Sequence, residues 1–156
     1  MANYARTHIG NEGRVELHEV LGLTGAEVSV NNLPAGAGVP FVHAHKENEE
    51  IYGVLEGAGS ATIDGEDIEL AAGDWLRISP AAHRQLRAAS DSGITYVCIQ
   101  VKQGSLDAFT ADDAIMCQFA TSVRKEVNES PLVDLLAQIF WRDTPRLPGG
   151  CQTKSP

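Results

Sequence analysis

Three things are scarce in this chain, and each scarcity narrows what the protein can be. Cysteine occurs only at Cys98, Cys117 and Cys151. An odd number at wide spacing makes neither a disulfide framework nor a zinc pattern, which favours a reducing compartment, the cytoplasm. Basic residues are outnumbered, with 12 Lys and Arg against 21 Asp and Glu for a net charge of -9. That balance argues against nucleic acid or an anionic membrane as partner, since both recruit cations. No apolar run is long enough to cross a bilayer, and the N-terminus carries no signal-peptide pattern.

What is present fits one folded domain. The 156 residues, 43% of them apolar, suffice for a single sizeable core. Fifteen glycines and seven prolines spread along the chain predict many tight turns and short strands. Residues 1–13 are polar and predict a loose arm. Arg14-Val15-Glu16-Leu17-His18-Glu19-Val20 alternates as a half-buried strand does, with His18 on the polar side. Ala26–Val30 reads as a second strand, and Leu33–Pro40 is punctuation before a strand that carries histidines. Gly57-Ala58-Gly59 separates Ile51–Glu56 from Ser60–Ile63. Asp64-Gly65 is a two-residue hairpin signal, because a type I′ turn needs residues tolerant of positive φ. Strands follow at Ile68–Leu70, Trp75–Ile78, His83–Leu86 and Ile94–Val101, with one helical turn at Ser105–Phe109 and a last short strand at Ile115–Phe119. Many short strands at near-regular spacing point to an antiparallel sandwich or barrel.

The stretch that carries chemistry is His43-Ala44-His45-Lys46-Glu47-Asn48-Glu49-Glu50. Side chains alternate on an extended strand, so His43 and His45 face the same side. Two imidazoles and a carboxylate from the next strand make an N/O site suited to a divalent transition metal. Parity leaves the carboxylate open. On an unbroken strand Glu49 shares the histidine face, whereas a reversal at residues 46–49 allows either Glu49 or Glu50. Tyr52 and Val54 share the parity of Glu50 and line the same cavity if it points inward. Tyr52 is then a candidate proton donor or substrate contact, the plainer reading being a packed ring with one bonded hydroxyl.

On these residues the chain resembles the cupin family, as a small single-domain, cupin-2-like barrel over about residues 14–120. His43-Ala44-His45, Glu50 and Gly57 match the family's first motif, and the spacing to Gly57 selects Glu50 over Glu49. Gly73-Asp74 opens the second motif, whose histidine is matched by His83. There Pro80 arrives one residue late, the motif's inner glycine is missing, and His83 stands one residue short of the pattern. Leu23–Glu27, Leu33–Gly36 and Cys98–Lys102 resemble a subgroup of small bacterial cupins without a settled activity.

The resemblance implies an all-β fold, an antiparallel jelly-roll barrel. It also implies a divalent metal (iron, manganese, nickel, copper or zinc) held by His43, His45, Glu50 and His83, a small-molecule ligand, and a homodimer. Without His83 the set becomes two histidines and one carboxylate, like the facial triad of non-haem iron sites. The function implied is a metal-dependent enzyme of dioxygenase, isomerase or decarboxylase type, although no dedicated general base is evident. A non-catalytic small-molecule or metal-binding module is the alternative.

The remaining candidates have plainer expectations. Arg77, Arg84 and Arg87 flank the second motif, as anion contacts at the barrel mouth or as surface residues paired with carboxylates. Trp75 is expected at the barrel wall, and Cys98 as a small buried hydrophobe. In the extension 121–156, Ser130-Pro131 starts a helix over about 131–141. Its stripe of Leu132, Leu135, Leu136, Ile139 and Phe140 suits packing on the barrel or on a partner subunit, and a mobile tail follows.

Overall fold

A computed structural model of the chain describes residues 2–109 and 113–115. The chain divides into two compact units, Met1–Ser105 and Leu106–Pro156. The described elements lie in the first: β1 (Arg14–Glu16), α1 (His18–Leu21), β2 (Glu27–Leu33), β3 (Asn48–Ile63), β4 (Glu66–Ala71), β5 (Trp75–Ile78), β6 (Arg84–Ala88) and β7 (Ile94–Lys102). The helix expected at 131–141 and residues 116–119 of the expected last strand lie outside the described residues. No described helix is long and apolar enough to cross a membrane.

All the pairings are antiparallel, and the strand order is β1-β2-β7-β3-β4, with β5 and β6 also pairing with β3. The jelly-roll barrel is organised by β3, 16 residues long. Its first part pairs with β5 and β7, from Asn48 to Gly57, and its second part with β4 and β6, from Ala58 to Ile63. The expected break at Gly57-Ala58-Gly59 is therefore a bend within one strand. The register slips between Val54 and Glu56, as at a β-bulge. Gly57 then adopts a φ of 77°, and a Cβ there would stand 1.8 Å from the Gly93 carbonyl oxygen. Only glycine reconciles that backbone with so close a neighbour.

Alternation sets what faces inward. The core holds Tyr52 and Val54 of β3, Leu86 and Ala88 of β6, and Ile94, Tyr96 and Cys98 of β7, with Ala61, Leu70 and Ile78. On β5, Leu76 and Ile78 take the inner parity and Trp75 the outer one. Trp75 thus lies 63% exposed across Gly53, whose missing side chain leaves room for the ring. This corrects the expectation of a packed wall residue. The Asp64-Gly65 hairpin forms as expected, with φ of 49° and 89° between Ile63 and Glu66.

Other expectations change for local reasons. The strand begun at Arg14 stops at Glu16, and His18–Leu21 turns helical, closed by Gly22 in the left-handed conformation. The alternation from Arg14 to Val20 does not mark where the strand ends, because a four-residue helix is too short to impose a 3.6-residue period. Residues 105–109 are irregular rather than helical.

Gly57→Ala is expected to cost about 2 kcal/mol or more through the strained φ and the clash. In a thermal melt the midpoint should fall by at least about 8 °C. Gly25→Ala, with nothing within 4 Å of the added Cβ, should stay within about 0.5 kcal/mol of the parent.

Candidate metal centre

The histidines approach the barrel on an extended segment rather than on a ladder-forming strand. His43 makes a two-way backbone bridge with Arg84: its N–H donates to the Arg84 carbonyl at 3.1 Å, and Arg84 N–H donates to the His43 carbonyl at 2.8 Å. The N–H of His45 donates to the Pro80 carbonyl at 2.8 Å. Extended backbone between these anchors sends both imidazoles to one side, their ring centroids 5.3 Å apart. The chain then bends at residues 46–47 and returns as β3. The reversal turns Glu50 inward and Glu49 outward, where Glu49 pairs with Arg77 at 2.6 Å.

Glu50 is 2% exposed and is the hub of the centre. Its Oε1 lies 3.0 Å from Nε2 of His45, and its Oε2 lies 3.9 Å from Nε2 of His43. The Tyr52 hydroxyl donates to Oε2 at 3.0 Å, and the Cys98 thiol donates to Oε1 at 3.5 Å. One ligand atom from each of His43, His45 and Glu50 falls within 4.8 Å of the others.

The fourth expected ligand is not among them. The His83 side chain is 71% exposed, with its Nδ1 3.5 Å from Asp64 Oδ1. Along β6 the inner parity belongs to Arg84, Leu86 and Ala88, and one residue of offset reverses the face. His83 as a fourth metal ligand is therefore corrected.

Arg84, one of the three arginines that flank the second motif, takes the inward place. It is fully buried, its Nε 3.0 Å from Glu50 Oε2. Its outer nitrogens donate to the carbonyls of Pro80 at 3.1 Å, Ser79 at 3.2 Å and, at 3.5 Å, His43. One signal for this was available: the second-motif spacing from Gly73 that makes His83 one residue short falls on Arg84.

Electrostatics follow from this packing. Burial alone works against ionisation of Glu50, but the contacts with His45, Tyr52 and Arg84 outweigh it and hold the carboxyl below the usual range. Burial is also the main influence lowering His43, with Arg84 and His45 adding to it against the pull of Glu50. Tyr52 is raised by burial and then by the Glu50 charge, and the Cys98 thiol is pushed up to about 12 by the same two causes.

The donor set fits a metal ion. Nε2 of His45 is buried and close to Glu50, yet it is not aligned with any hydrogen-bond partner. An orphaned imidazole nitrogen beside a carboxylate oxygen is an uncompensated arrangement that a shared cation resolves.

Comparisons with known proteins converge on one family. The cupin-domain family model matches residues 29–100. The crystal structure of a cupin protein from Bacteroides fragilis is 62% identical, covering 76% of this chain and all of its own, with a TM-score of 0.74. A sugar phosphate isomerase of the cupin superfamily from Silicibacter pomeroyi is 22% identical over 64% of this chain and 69% of its own, at a TM-score of 0.52, a likeness of fold alone. An uncharacterized protein of Methanocaldococcus jannaschii is 33% identical over 58 residues, which span 37% of this chain and 46% of that protein. The chain thus matches less than half the length of that relative.

Two outcomes follow from the burial pattern. Arg84→Ala leaves Glu50 buried and unpaired and should cost about 3–5 kcal/mol in urea unfolding, whereas His83→Ala should stay within about 0.5 kcal/mol. Peptide mapping after iodoacetamide treatment of the native protein at pH 8 should find Cys98 unmodified, and labelled once denaturant is added.

Proposed function

This chain belongs to the cupin family, and from the geometry of its centre we propose that it holds a divalent transition metal at His43, His45 and Glu50 to act on a small molecule inside the barrel. The observation that carries this reading is the convergence of three donor atoms within 4.8 Å of one another around a buried carboxylate. Iron, manganese, nickel, copper and zinc all accept two imidazoles and a carboxylate oxygen, and geometry and supply choose among them. When bound, such an ion supplies Lewis acidity toward an oxygen of the small molecule.

The chain's own residues fix how the site works. Tyr52 and Arg84 engage Oε2 of Glu50, which leaves Oε1, beside His45 and touched only by the long Cys98 thiol contact, as the oxygen to ligate. Tyr52 thereby anchors the carboxylate instead of serving as a proton donor, its hydroxyl proton being already directed to Oε2. Three protein ligands leave coordination positions for an incoming molecule. An enzyme of dioxygenase, isomerase or decarboxylase type is the reading these features support.

A second reading, a binding module without turnover, is favoured by one observation. Among the described residues, Tyr52, Cys98 and Arg84 at the centre are all engaged with Glu50, and none is free to shuttle a proton. Turnover of a candidate substrate that chelator abolishes supports the enzyme, and tight binding without turnover supports the module.

Elemental analysis of the full chain purified without an affinity tag should find close to one divalent metal per chain. Calorimetric titration of the metal-stripped protein should show binding weakened by at least about a hundredfold in His43→Ala and in Glu50→Gln. A His43→Ala variant that keeps full occupancy would overturn the site.

A further inference from the structure

Resting on that metal reading, we infer that Arg84 sets the charge of the centre so that the small molecule completing it is an anion, such as an organic carboxylate. The argument begins with the buried charges. Glu50 and Arg84 have side chains 3% and 0% exposed, with Nε and Oε2 at 3.0 Å, so the buried side-chain charge there sums to zero. A neutral histidine in place of Arg84 would leave the carboxylate charge to offset half of a divalent ion. With the guanidinium present, both positive charges of the ion stay unbalanced inside the barrel, where an isolated charge is costly. An anion entering the open coordination positions supplies the missing charge.

The way in is set by exposure. The side chains of His43 and His45 keep 27% and 24% of their surface open, while Glu50 and Arg84 are sealed. An incoming molecule therefore meets the histidine side. The outer Arg84 nitrogens already donate to the carbonyls of Ser79, Pro80 and His43, and its Nε stands 3.0 Å from Glu50 Oε2. Arg84 is thus a positioning residue that acts through the charge balance, not a group that touches the anion. The net charge of -9 on the whole chain opposes anions at long range, but salt screens it beyond roughly 8 Å, which leaves the local balance to decide.

The test is azide titration of the full chain reconstituted with Co(II), followed by the visible absorption of cobalt, with neutral imidazole as the uncharged control. Azide should bind the parent, weaken roughly ten- to hundredfold in Arg84→Gln, and recover in Arg84→Lys. Imidazole affinity should not follow this order. Should Arg84→Gln fail to fold, Arg84→Met, equally uncharged and of similar length, takes its place with the same expected weakening. Cobalt bands with azide affinity indifferent to these charges overturn the inference and leave the metal reading standing. Absence of cobalt bands in the parent overturns both.

Discussion

A carboxylate and a guanidinium buried side by side hold this barrel's centre together. Neither charge is tolerable alone at that depth, and their attraction, with the carbonyl contacts of the guanidinium, offsets the loss of water. Arg84 spends its outer nitrogens on the Ser79, Pro80 and His43 carbonyls. Pro80 in turn accepts from the backbone of His45. The ion pair therefore fixes the position of Glu50 and also ties together the two segments that present the histidines and the arginine. Contacts of this kind hold the Glu50 carboxylate in one orientation.

The surrounding architecture exists to bring those segments together. The strand that starts at Glu50's end of the site also bends at Gly57 and continues into the opposite wall, so one piece of backbone links the chemistry to the closure of the barrel. The inner parity of β3 places Glu50, Tyr52 and Val54 in one column. The facing columns of β6 and β7 bring Arg84 and Cys98 to it. Glu50 and Arg84 are each followed at the next inward position by the apolar core, at Tyr52 and Leu86.

Much of this could be read from the sequence, for identifiable reasons. The shared face of His43 and His45 follows from extended backbone, and the Asp64-Gly65 turn from the steric demand of positive φ. Glu50 needed the spacing to Gly57, since alternation alone could not say where the chain reverses. Arg84 was hidden because an arginine in a polar stretch reads as solvated, and only the register of β6 against the histidine segment turns it inward. The same register carried His83 outward. Trp75 misled in the opposite sense: a large ring suggests interior packing, yet parity put it outside, over a glycine. The short helix at His18 escaped notice because so brief an element has almost no periodicity.

The reach of β3 has a consequence for how the molecule comes into being. Its hydrogen-bonding partners include residues as late as Lys102, so the sheet cannot be assembled from the N-terminal end as the chain emerges. Topologies that join distant stretches condense slowly and all at once, because the entropy of closing long loops is lost before any contact compensates it. Glu50 must therefore remain solvated until Arg84 has been synthesised and β7 has docked, and the candidate centre takes shape in a single step together with the native state.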